Sequence, residues 1–159
     1  MKTSTITKTL AVLALLGSSA SMAATVNVIP SAGLVAPGQT FTLTITSDAP
    51  NTFAATMALA FDASRVAYVS GAALAPWNVF VKNSPVTANP TVFDVETPTA
   101  TAANPSVYNV AILTFNVLAN APGGSAGIVI NDDGGNVTGW FDADTADWIP
   151  VSYNQANVQ

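Results

Sequence analysis

Phe41-Thr42-Leu43-Thr44-Ile45-Thr46 alternates apolar and hydroxyl side chains without a break. Successive side chains of an extended strand point to opposite faces, so Phe41, Leu43 and Ile45 share one side and the three threonines the other. That is the pattern of a strand with one face in a core and one in water. Pro37-Gly38 precedes it and Asp48-Ala49-Pro50-Asn51 follows it, both turn-forming sequences. Beyond the second turn the period of two resumes. Phe53, Ala55, Met57, Leu59 and Phe61 point one way, and Ala54, Thr56, Ala58 and Ala60 the other. The alanines also suit a helix, but the flanking turn and the β-rich neighbours favour a strand.

Working outward, further strands are expected at Thr25–Val28, Val66–Val69, Asn78–Val81, Thr91–Glu96, Val107–Leu118, Gly127–Ile130, Val137–Phe141 and Val151–Val158. Pro85, Pro90, Pro98, Pro105, Pro122-Gly123-Gly124 and Asp133-Gly134-Gly135 punctuate them. Proline cannot donate to a sheet ladder, so it belongs in connections and on edges. Short strands at this spacing, with no helix-period segment after residue 24, predict an all-β antiparallel sandwich. Thr97–Ser106 has a linker's composition, yet neither flank is long enough to close a sandwich alone, so it reads as a long loop inside one domain.

The N-terminus follows a different rule. Lys2 and Lys8 precede the apolar run Leu10–Leu16, and small residues follow up to Ala24. This is the layout of a secretory signal helix, with Ser21 and Ala23 placed for cleavage after Ala23. The apolar run is too short to span a bilayer, which takes ~20 residues. The expected division is residues 1–23 as signal peptide and 24–159 as a single secreted, extracellular domain with no membrane span. Loss of Lys2 and Lys8 leaves Arg65 and Lys82 against nine acids, a charge of −7.

Composition excludes several chemistries. With no His and no Cys, Ser-His and Cys-His nucleophile pairs and His- or Cys-ligated zinc are impossible. Two cations cannot neutralise a phosphate backbone, so nucleic acid is not an expected partner. Asp94 and Glu96 lie two apart on one strand face, a geometry a carboxylate pair could use but one common on solvated strands. No enzyme activity is expected.

Two kinds of residue remain as candidates. Asp132, Asp133, Asp142, Asp144 and Asp147 cluster late in the chain. Calcium takes six to eight oxygens, but 142–147 has Ala at the fifth loop position and Asp at the sixth, and 131–136 has Gly at the fifth. Turn formation by Asp and Gly is the simpler reading; no cofactor is expected, with calcium kept as the alternative. Asn136-Val137-Thr138 matches a glycosylation sequon and carries no weight beside a bacterial-looking signal. Among the aromatics, Trp77, Trp140, Phe141, Trp148 and Tyr153 either plug the core or offer flat faces to sugar rings. Trp77 follows Pro76 and Trp140 follows Gly139. These turn-adjacent positions are expected to be more exposed than Trp148, making Trp77 and Trp140 the candidate ligand-binding residues.

Three stretches in order resemble the cohesin family and its carbohydrate-binding relatives. They are Val35-Ala36-Pro37-Gly38-Gln39-Thr40-Phe41-Thr42-Leu43, then Leu59-Ala60-Phe61-Asp62-Ala63-Ser64-Arg65-Val66 with Val69-Ser70-Gly71, and Val110–Val117 with Gly124 and Ile128-Val129-Ile130 behind it. The resemblance spans Val26 to about Val158. It implies a nine-stranded jelly-roll sandwich and a non-catalytic extracellular module linked to polysaccharide degradation, holding a protein or a polysaccharide. A protein-contact face would run along Ala54, Thr56, Ala58 and Ala60. A structural subunit of a surface layer or matrix is the alternative.

Overall fold

The structure, a computed structural model, describes residues 23–82, 91–102, 105–131, 139–155 and 157–159. The expected signal peptide, apart from Ala23, lies outside the described residues, as do Asp132, Asp133 and the sequon at 136–138.

The described strands are β1 (Ala24–Pro30), β2 (Thr40–Ser47), β3 (Thr52–Ala60), β4 (Val66–Ala73), β5 (Val79–Lys82), β6 (Thr91–Glu96), β7 (Tyr108–Val117), β8 (Val129–Asn131), β9 (Gly139–Asp142), β10 (Trp148–Ile149) and β11 (Val151–Asn154). They form two sheets, ordered β11-β1-β2-β7-β4 and β10-β9-β3-β6-β5, with β8 also on β3. The all-β sandwich expected from the alternating pattern is present.

The expectation of nine strands is met by eleven segments, and the pairings explain why. β9 pairs with Thr52–Thr56 and β8 with Ala58–Ala60, both antiparallel. They therefore occupy one edge of β3 in succession, as a single interrupted strand position. Pro150 separates β10 from β11, and the chain changes sheets there: β10 pairs with β9, whereas β11 pairs with β1. Counting each interrupted pair once leaves nine positions. The β1–β11 pairing is parallel, Ala24 opposite Val151, a departure from the all-antiparallel expectation.

Burial follows the alternation. Phe41, Leu43 and Ile45 are buried, as are Ala55, Met57 and Leu59, while Ala54, Thr56, Ala58 and Ala60 are half-buried on the outer side. Phe115 lies at the centre of an aromatic cluster, stacked on Phe41 and edge-on to Phe61 and Tyr68. The Pro37-Gly38 turn closes through Gln39 N–H donating to Ala36 O at 3.1 Å, with Gly38 at φ +80°, a backbone that favours glycine. One expected inward residue departs. Phe53 is exposed and Thr52 buried in its place, because the β3–β9 register shifts between Thr52 and Ala54 and reverses the alternation there.

The tryptophan expectation is overturned. Trp77 is 2% and Trp140 0% exposed, while Trp148 is 44% exposed. Trp77 lies in the β4–β5 connection, where its backbone N–H donates to Leu74 O at 2.9 Å and the ring turns inward; for Trp140, adjacency to a turn says nothing about which face a strand residue takes. In β9, Gly139 and Phe141 point outward, so Trp140 between them must point into the sandwich. There it meets Trp77 edge-on at 5.8 Å and donates from Nε1 to the Tyr153 hydroxyl at 3.2 Å. Trp77 also stacks on Tyr108.

Candidate functional site

The outer face of the β10-β9-β3-β6-β5 sheet carries Phe53, Val81 and Trp148, three of the exposed large apolar side chains among the described residues. Strand register lays them out in rows. One row reads Trp148, Phe141, Ala54, Glu96, Val79, and the next reads Gly139, Thr56, Asp94, Val81. A third continues with Ala58 beside Val92. Along each row direct cross-strand neighbours share a face.

Three zones result. At one side is an aromatic ridge: Phe141 lies 4.4 Å from Trp148, centroid to centroid, and 6.5 Å from Phe53. In the middle is a trough floored by Ala54, Thr56, Ala58 and Ala60, whose short side chains leave the backbone of β3 low. At the other side are the carboxylates of Asp94 and Glu96, bordered by Val79 and exposed Val81. Asp94 and Glu96 do share one outward face, as their spacing requires, since Phe93 and Val95 between and beside them are buried.

Gly139 makes the ridge possible. The Cε3–Cζ3 edge of the Trp148 indole occupies the space where a Cβ at position 139 would stand. Trp148, directly opposite Phe141, thus leans diagonally across the strand pair onto a residue without a side chain, an arrangement that covers a glycine near a sheet edge. Sequence reasoning missed Trp148. The signal lies in the strand pairing: Phe141 is outward in β9 and stands opposite Trp148, which makes Trp148 outward too.

The acidic hairpin at the end of the ridge is internally bonded. Asp142 Oδ1 accepts from the backbone N–H groups of Asp144 at 2.9 Å and Thr145 at 3.0 Å, and the Asn51 side-chain amide donates to Asp142 and Asp144. Those two backbone donors, with the Asn51 and Thr145 side chains, hold the Asp142 carboxyl below the usual carboxylate range. Its geometry is that of a side chain organising a turn. Among the described residues no group of three or more His, Cys, Asp or Glu is placed to hold a metal ion. No helix among them is long and apolar enough to cross a membrane.

No family model matches the sequence, and no curated protein matches it. Solved structures do match the fold. A type II cohesin of Bacteroides cellulosolvens superposes with a TM-score of 0.67 at 15% identity, covering 84% of this chain and 98% of that one. The fold is the cohesin fold. The third ScaC cohesin of Acetivibrio cellulolyticus, solved with the ScaB dockerin, gives 0.66 at 20% identity, over 86% of this chain and 97% of its own. The sixth cohesin of scaffoldin B from the same organism, solved with a Cel5 dockerin, gives 0.62 at 17% identity, over 84% and 97%. The resemblance seen in the three sequence stretches is therefore matched by the cohesin fold across most of the chain.

Proposed function

We propose that this chain is an exported, non-catalytic attachment module that holds a protein partner against the outer face of the β10-β9-β3-β6-β5 sheet. The observation that carries the reading is the face itself: an exposed aromatic ridge beside a small-residue trough, with carboxylates along the far side. Exposed Trp is among the commonest dominant anchors of protein interfaces, and low side chains around it let a partner approach closely enough to exclude water. Two similar folds were solved with dockerin partners, which supports a protein ligand for this one. β1 begins at Ala24, the residue expected to open the mature chain.

A polysaccharide is the second reading, favoured by the same exposed Trp148, since the apolar CH face of a sugar ring stacks on an indole. One experiment separates them. The mature protein is immobilised and offered secreted proteins of the source organism and, in parallel, insoluble polysaccharides. Trp148→Ala and Ala58→Arg are compared with wild type. The protein reading expects a retained protein and a loss of about thirtyfold or more in both variants, corresponding to ~2 kcal/mol for a dominant anchor, while both variants stay folded at the binding temperature. Polysaccharide retention lost in Trp148→Ala moves the assignment to sugar. Variants that bind as wild type remove this face as the site.

A further inference from the structure

At the far end of β3, ~25 Å from the aromatic ridge at 3.3 Å of rise per residue, the sandwich opens into a second feature unrelated to the sheet face. It is an apolar cleft of about 540 Å³. Its walls are Val35 and Pro37 from the β1–β2 connection, Val66 and Val117 at two strand ends, and Ala126 and Val158. Leu34, 79% exposed, stands at the rim. This size falls within the ~300–1,000 Å³ of small-ligand sites, which are apolar pockets with a few placed polar groups.

Two polar side chains line the cleft, Gln159 and Arg65, and Arg65 is one of two cationic side chains in residues 24–159. Its guanidinium is fixed on the cleft wall rather than left to move. Nε donates to Asp62 at 2.8 Å, and Nη1 donates to the carbonyls of Pro122 and Gly123. The whole group packs over Gly124, where an added Cβ would meet Nη1, Cζ and Nη2 at 3.1–3.3 Å. Gly124 has φ +126°, a backbone that favours glycine, and a side chain there would press the guanidinium out of place by a few tenths of an ångström. Arg65 lines the cleft, and its Nη2 makes no hydrogen bond among the described residues, whereas Nε and Nη1 do.

We propose that this cleft binds an aliphatic monocarboxylic acid, with the hydrocarbon chain among Val35, Val66, Val117, Ala126 and Val158 and the carboxylate on Arg65 Nη2. A guanidinium already held by three partners loses little side-chain freedom on binding, and a charge-assisted hydrogen bond favours a carboxylate over a neutral head group. Elsewhere in the described fold, Lys82 sits over the Tyr68 ring.

The test uses octanoate and 1-octanol, which share a chain length and differ in the head group. Titration of the full mature chain, followed by heat and by amide NMR shifts, is expected to show octanoate binding at least tenfold more tightly. The shifts should map to Val66, Val117, Ala126 and Val158. Arg65→Gln is expected to bring the two ligands level, and Ala121→Trp, a large side chain at a position that also lines the cleft, to remove both. If Arg65→Gln fails to fold, the wild-type comparison and its shift map still decide. Equal affinity for octanoate and octanol, shifts confined to the sheet face, or no saturable binding of either would overturn the proposal.

Discussion

Trp140 and Trp148 stand eight positions apart in one hairpin and face opposite ways. The inward ring fills the space between Trp77 and Tyr153, and the outward ring covers Gly139. Their removal should therefore have different costs. Trp140→Ala leaves a large cavity and is expected to cost ~3–5 kcal/mol, as for other buried aromatic truncations. Trp148→Ala removes a ring that is already half in water and should cost less than about 1.5 kcal/mol. Urea unfolding of both variants checks this, and equal losses would contradict the assigned orientations. The sequence carried this distinction only indirectly. Each Trp has an informative neighbour, but the sense of a strand residue depends on which partner lies across from it. Tyr153 and Phe141 become visible as partners only once the strands are paired.

At the scale of elements, the alternating segments were readable because packing on one face imposes a period of two. Thr91–Glu96 has the same bounds in the structure, and β2 and β7 differ by a residue at their ends. β4 runs four residues beyond its expected end at Val69. A register shift between Tyr68 and Ser70 lets the strand continue through Ser70-Gly71, a pair that reads as a break, and the Phe80 ring fills the space beside Gly71. The turns carry their own acid sensitivity. Asp62 is lowered first by the Ser64 hydroxyl, then by the Ser64 backbone N–H and by Arg65. Asp142 is lowered first by the Thr145 backbone N–H and then by that of Asp144. A carboxyl whose folded pKa is depressed contributes stability above its unfolded value, near 4. That contribution is lost as pH falls through the folded value. The chain has no His, so no side chain of ordinary pKa titrates between pH 5 and 8. Melting temperature should be flat across that range and fall below about pH 4. Asp142→Asn should weaken the acid dependence, and an undiminished slope in that variant would dissociate it from the hairpin.

For the whole molecule, the parallel pairing of β1 with β11 joins the two ends of the domain. Ala24 N–H donates to Pro150 O at 3.0 Å, and Asn154 donates through its side chain to Asn27. An export cut after Ala23 would leave the Ala24 nitrogen able to make that same bond as an ammonium. Intact mass of secreted protein is expected to correspond to a chain starting at Ala24. A product retaining residues 1–23, or one starting inside β1, would contradict the proposed boundary. The same pairing has a temporal consequence. A ribosome delivers Ala24 more than a hundred residues before Val151, so the first strand waits for nearly the entire chain before its outer neighbour exists. Contacts of such large sequence separation slow folding, because the closure entropy must be met before they stabilise anything. During that interval β1 has only β2 beside it and its other edge is unpaired. If the chain is exported as proposed, a sheet edge completed only by the last strand would keep it threadable through a narrow channel until its C-terminal strand has passed.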